Sequence, residues 1–206
     1  MQDSAPNKHQ LKTLQTQNKL LEAAELVFVR EGYESAQLAT IAAVAGRTKG
    51  AVYAHYKSKE ELFLALFESR MHQYTEQFRQ KQQSCATRKE RQQAFRSFFL
   101  EKLKDQSWFT LTLEYKLFAL RHPESIGKLR KSFQQARPSE CDPIFDGLFG
   151  PLSAQRRKLT NAGLAAIISI LSALIIESHF DPENLDPEST REILNRTFQI
   201  LFPMFE

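Results

Sequence analysis

From Thr16 onward the apolar residues recur at helical spacing, and this constrains the fold more than anything else in the sequence. Leu20, Ala24, Val27 and Phe28 fall at i, i+4, i+7 and i+8, one face of a helix. Strand-type alternation is scarce. Only 7 Gly and 8 Pro punctuate 206 residues, too few for the many turns of a sandwich or barrel. The chain is therefore expected to be all-α. Its 16 Phe require a core, an interface or a pocket, and exclude a disordered chain.

The pattern resolves into about nine helices. Residues 1–15 read as a flexible polar arm, and Thr16 as the N-cap of the first helix, which Gly32 ends. Leu38, Ile41, Ala42 and Ala45 make a short second helix closed by Gly46. Thr48 caps a short third, to about Tyr56. Ser58 and Glu61 form a capping box that opens a long fourth helix to about Gln83. Helices follow over about 89–104, 108–121 and 123–136, the last with Pro123 in its first turn. Residues 137–152, rich in Pro and Gly, read as a loop with one helical turn. The last two helices run from Ser153 to His179 and from Asp186 to near Pro203. The expected domains are the arm (1–15), a three-helix head (16–60) and a larger helical bundle (61–206).

The start of the chain has no apolar signal-peptide core. The longest apolar stretch, Ala162 to Ile176, reads as too short to span a bilayer. Cys85 and Cys141 are isolated, so neither a disulfide framework nor a zinc ribbon is expected. A reduced cytoplasmic protein without membrane contact is the expectation.

Residues 37–56 have the layout of a helix-turn-helix, with Ala42 small where two helices must approach closely. From Gly46 to Lys59 there are four cations, Arg47, Lys49, Lys57 and Lys59, and no acid. The net charge of the whole chain is only +4, so its distribution matters more than its total. Thr48, Tyr53, His55 and Tyr56 add donors of the type that bond phosphates. Gly50 and Ala51 leave the first turn of the third helix slim enough for a major groove. Ser58 and Lys59 bring a helix N-terminus and a cation together, the ingredients of a phosphate site.

These residues also carry a resemblance. Leu21, Ala24, Phe28, Gly32-Tyr33, Ile41-Ala42, Ala45-Gly46, Thr48-Lys49-Gly50-Ala51-Val52-Tyr53, His55-Tyr56 and Lys59-Glu60-Glu61-Leu62 are similar to the N-terminal domain of the TetR family. The run from Arg47 to Tyr56 most resembles the multidrug-efflux regulators of that family. The resemblance implies a homodimeric regulator, usually a repressor. Its head would bind a palindromic double-stranded operator, and its C-terminal helices would dimerise and take a small effector. By position, Thr48 and Lys49 would open the recognition helix, with Gly50 and Ala51 in its first turn. Tyr53 and His55 would face backbone or base, Tyr56 would support the helix or touch a phosphate, and Lys59 would grip a phosphate, beside Lys57. Two positions depart from the family: Gln37 replaces a usual Thr or Ser, and Arg47 a usual apolar residue.

In the C-terminal part, Trp108, Leu111, Tyr115 and Phe118 form one stripe of the sixth helix, with Leu113, Leu117 and Leu120 on another. A helix apolar on both sides is buried between neighbours. Phe67, Met71, Tyr74 and Phe78 on the fourth helix and Phe95, Phe98 and Phe99 on the fifth supply further aromatic and apolar surface. Together they line either a cavity for an apolar or cationic ligand or a packed core; the family resemblance favours the cavity. Glu114, with no cation at i±3 or i±4, would face such a cation, pair with Arg121 or lie at the surface. Leu164, Ile167, Ile168, Leu171 and Ile175 on the eighth helix, with Leu194, Phe198 and Leu201 on the ninth, are expected to pair with a second copy as a four-helix bundle.

No catalytic motif, metal cluster or cofactor fingerprint is present: the five His are scattered and no phosphate loop appears. The expectation is a ligand-responsive DNA-binding regulator. The competing class is a small all-α enzyme or helical interaction protein in which residues 37–56 merely pack.

Overall fold

The computed structural model describes residues 7–102, 104–136 and 143–202. Cys141, Pro203, the first part of the 137–152 segment and the start of the arm, all named above, lie outside these residues. The described chain is all-α, and it has ten helices rather than nine: α1 (Lys8–Glu31), α2 (Leu38–Val44), α3 (Lys49–Tyr53), α4 (Lys59–Gln83), α5 (Arg88–Lys102), α6 (Gln106–Arg121), α7 (Pro123–Ala136), α8 (Pro143–Phe149), α9 (Ala154–Glu177) and α10 (Pro187–Leu201). The extra one is α8, which takes up part of the expected loop.

Local chemistry sets most boundaries. Helix α1 starts at Lys8, not at Thr16. Asn7 accepts from the Gln10 amide and Gln10 reaches back to the Asn7 amide, a reciprocal capping box. The Thr16 hydroxyl instead donates to the Lys12 carbonyl inside the helix. Asp186 caps α10 as expected, with Pro187 following, and Ser153 caps α9. Thr87 and Glu90 make a capping box before α5 that the sequence reading passes over.

The described residues form two compact units. The first takes the described residues up to Met71 together with Glu114–Ala136; the second takes the described residues of His72–Leu113 and those from Pro143 onward. Helices α4 and α6 therefore each supply residues to both. The core of the first unit contains Leu20, Ala24, Val27, Phe28, Ile41, Val52, Leu62 and Phe63, joined by Tyr115 and Leu129 from the later segment. The core of the second contains Phe78, Phe95, Phe98, Phe109, Phe149, Ile167, Leu171, Leu194, Phe198 and Phe202. At Gly163 an added Cβ would lie 3.2 Å from the Phe202 ring, so glycine is what lets the end of α10 pack against α9.

Helix α9 corrects one expectation. At 24 residues it is long and apolar enough to cross a membrane by length and composition, where the bare apolar stretch reads as too short. Here its Ile167, Leu171 and Ile175 are spent on the core of the second unit.

Gly32 ends α1 with φ 77° and ψ 164°, a region that only glycine adopts freely. A Cβ there would also stand 3.0 Å from a Glu114 carboxylate oxygen. Gly32→Ala is expected to lower stability by roughly 1–3 kcal/mol, read as the shift of a urea unfolding midpoint. An unchanged midpoint would refute the backbone argument.

Candidate nucleic-acid interface

The helix-turn-helix assembles from short-range bonds. Gly46 has φ 62°, its N–H donates to the Ala43 carbonyl (3.0 Å), and the Arg47 N–H donates to the Ala42 carbonyl (2.8 Å). This is the Schellman pattern, which satisfies the last carbonyls of α2 and turns the chain sharply. Thr48 then caps α3, its hydroxyl accepting from the Ala51 N–H at 3.2 Å. Val52 is fully buried and fixes α3 to the core. The five-residue helix is thereby held by one apolar anchor and one cap, and its remaining sides stay open.

The expected DNA-contacting residues divide by exposure. Gln37, Arg47, Thr48, Lys49, Gly50, Tyr53 and Lys57 are exposed, and Ala51 and His55 are half-buried. An added Cβ at Gly50 would meet only the Thr48 hydroxyl, at 3.8 Å, so space lies open in front of it. The Lys49 ammonium sits 5.8 Å from the Tyr53 ring, which is 48% exposed. Gln37 precedes α2 but makes no capping bond. That agrees with its departure from the family's Thr or Ser.

Two residues turn inward. Tyr56 is buried, and burial, followed by the charge of Glu61, holds its hydroxyl above the ordinary range. Lys59 donates to the Glu34 carbonyl at 2.7 Å and lies 5.0 Å from the Tyr33 ring. Partial burial lowers the pKa of its ammonium, and Glu34 works against that shift. Nor is the α4 N-terminus an open anion site. Glu60 and Glu61 occupy its first turn, and Glu61 accepts from the backbone N–H of Lys57 while Ser58 accepts from that of Glu61.

Tyr33, named in sequence only as part of Gly32-Tyr33, is the hinge-pin of the first unit. Its ring packs within 4.8–5.8 Å of Phe28, Phe63, Tyr115 and Phe118. Its N–H donates to Glu114 at 2.9 Å. Tyr115 stacks on Phe63 at 4.2 Å and donates to Glu60 at 3.0 Å. Lys128 pairs with the same Glu60. Burial opposes the charged form of Glu60, but hydrogen bonds from Lys128, Ser125 and Tyr115 outweigh it and hold the pKa low. Sequence periodicity cannot find this network, because its hydrogen bonds join residues 55 to 81 positions apart.

The expected ligand-lining residues are drawn from both units. Phe67, Met71, Glu114, Tyr115 and Phe118 belong to the first unit; Tyr74, Phe78, Phe95, Phe98, Phe99, Trp108 and Leu111 belong to the second. Tyr115 is fully buried within its unit, and Glu114, exposed, takes a backbone partner. Of the expected dimer residues, Ile167, Leu171, Ile175, Leu194 and Phe198 are buried inside the protomer, and Leu164 and Leu201 are partly buried. Only Ile168 is exposed. Its exposed companions are Ala162, Ala165, Ser169 and Ala173 on α9, and Ile193 and Ile200 on α10.

Residues 20–66 match the family model for the N-terminal domain of bacterial regulatory proteins of the tetR family. The chain is 33% identical over 73 residues to the fatty acid metabolism regulator protein of Bacillus subtilis, covering 35% of this chain and 38% of that protein. It is 44% identical over 55 residues to the HTH-type transcriptional regulator TtgR of Pseudomonas putida, covering 27% of this chain and 26% of that one. These matches span between about a quarter and two fifths of the relatives' length. The fold extends further. The transcriptional regulator FadR of Bacillus subtilis, solved with stearoyl-CoA, superposes with a TM-score of 0.61 at 21% identity, over 89% of this chain and 96% of that one. A matching N-terminal segment and a matching whole-chain architecture point the same way: residues 20–66 match the tetR family of bacterial regulatory proteins, and the fold over most of the chain is the one seen in FadR.

Proposed function

We propose that the protein is a cytoplasmic, homodimeric, DNA-binding transcriptional repressor, released from a palindromic operator by a small apolar or cationic effector. The observation that carries this is the outward face around α3. Arg47, Lys49 and Lys57 stand exposed beside Thr48, Gly50 and Tyr53, with no acid from Gly46 to Lys59. Such a face supplies phosphate contacts from its rim and a slim helix for the major groove.

Residues 16–60 act as the reading head and 61–206 as the sensing and dimerising part, with 61–71 and 114–136 bracing the head. Tyr56 and Lys59 shape the head from within rather than touch DNA. Dimerisation uses the outward side of α9 and α10, where Ala162, Ala165, Ser169 and Ala173 permit close helix approach beside Ile168, Ile193 and Ile200. The effector site lies among the aromatic side chains of the second unit. Effector binding shifts the balance between conformers only through its different affinity for each.

Binding of the purified chain to DNA upstream of its own gene tests this reading. With three phosphates neutralised per head, a dimer gives a slope of log K against log salt of about −5. No binding at low salt would overturn the proposal and favour an interaction protein. Lys59→Ala separates the two classes of basic residue. It is expected to weaken binding through a loosened head while leaving the salt slope unchanged, whereas Lys57→Ala lowers the slope by about 0.9 per head. A slope change in Lys59→Ala would restore it as a phosphate contact.

A further inference from the structure

The second unit contains a cation already bound to aromatic rings, and that cation belongs to the protein. The Lys102 ammonium lies 4.1 Å from the centre of the Tyr74 ring and 4.6 Å from that of Phe98. It also donates to the Gln77 side-chain carbonyl at 2.9 Å. Phe98 and Lys102 are one turn apart on α5, so they share a face by construction. Tyr74 and Gln77 come from a different helix, α4, and close the other side. The Tyr74 hydroxyl donates to the Asp105 carboxylate, just beyond α5. That bond pushes electron density into the ring that faces the cation.

Two rings, one of them with its hydroxyl bonded to a carboxylate, and a carbonyl oxygen are elements that recognise an organic ammonium ion. We propose that Tyr74, Phe98 and Asp105 form a site for an organic cation, and that Lys102 occupies it as an internal plug. Lys102 is the last residue of α5 and is only partly buried, and its four-carbon stem can carry the ammonium out to water. A primary ammonium is strongly hydrated and gives up a large solvation energy to sit between rings. A quaternary ammonium is weakly hydrated and loses less, so it displaces the lysine despite the lysine's covalent advantage. The inference rests on the effector-responsive reading above and names the effector's class, but its test needs no DNA.

The test uses the full chain with its lysines reductively methylated with ¹³C. Rings on two sides of Lys102 shift its dimethylamine signal upfield, and Lys102→Met identifies that signal by deleting it. Adding benzyltrimethylammonium is expected to return it to the position of exposed lysines. The uncharged isostere neopentylbenzene is expected to leave it in place. By calorimetry, Lys102→Met binds benzyltrimethylammonium about tenfold more tightly than the wild type does, and a further Phe98→Leu removes the gain. No upfield Lys102 signal, equal displacement by the isostere, or equal cation affinity in wild type and Lys102→Met would each overturn the site. If Lys102→Met does not fold, Lys102→Arg, which escapes reductive methylation, identifies the signal instead, and its selective displacement in the wild type decides the question. Loss of DNA binding leaves all these readouts intact, so failure of the repressor reading and failure of the cation site are distinguishable.

Discussion

Replacing Arg47, Lys49 and Lys57 together by alanine is expected to abolish most of the salt dependence of DNA binding. Each phosphate contact contributes about −0.9 to the slope of log K against log salt, so three per head and two heads account for a slope of about −5. Near 0.1 M salt, one decade below 1 M, each lost contact also removes about 0.9 of a decade in affinity. Six such losses put operator binding beyond measurement. All three side chains are exposed, and no ion pair to any of them is found among the described residues. Exposed substitutions of this kind change stability by about 0.5 kcal/mol or less each, so the fold should persist. Fluorescence anisotropy with a labelled upstream duplex gives the slope, and thermal unfolding checks the fold. A triple variant that keeps the wild-type slope would remove this face from the DNA contact.

The sequence makes the head more legible than the rest for a physical reason. Caps, tight turns and helical stripes are local, so Thr48, Gly46 and Val52 announce their roles within a few residues. The start of α1 is equally local, yet Asn7 and Gln10 sit in a polar stretch that lacks an apolar stripe, and polarity alone suggests an arm. The bundle demands a different kind of information. Ile167 and Ile168 are adjacent and chemically identical; one is fully buried and the other faces outward. On a helix apolar all round, nothing in the sequence distinguishes the side that meets α10 from the side left open. The contents of the first unit are non-local in the same way. A boundary near residue 60 follows the composition, but the head takes Phe63 from beyond it and Tyr115 from far along the chain. Charge and aromatics do not separate cleanly at that point, because the head has an aromatic core of its own.

Phe63→Ala is the substitution expected to damage the protein most. Phe63 is fully buried, with its ring 5.5 Å from Phe28, 5.1 Å from Tyr33 and 4.2 Å from Tyr115. Truncating it leaves a cavity lined by three rings that are themselves pinned. Tyr115 is held by its bond to Glu60, and Tyr33 by its N–H bond to Glu114. A site that cannot collapse loses both the transfer energy and the packing of its walls, about 3–5 kcal/mol for a buried Phe. Set against a total stability of about 5–15 kcal/mol, that is a large share. The unfolding temperature should fall by roughly 6–20 °C. Leu26→Ala is the control: it lies on α1, but it is 64% exposed, and its expected cost is about 0.5 kcal/mol or less. DNA affinity should fall with the stability of Phe63→Ala, because Phe28 and Tyr33 lead directly into the turn before α2. The salt slope of whatever folded protein remains should stay at the wild-type value, because no contacting cation is lost. Equal unfolding temperatures for Phe63→Ala and Leu26→Ala would show that the aromatic network does not hold the head, and that α3 is positioned by α1 and α2 alone.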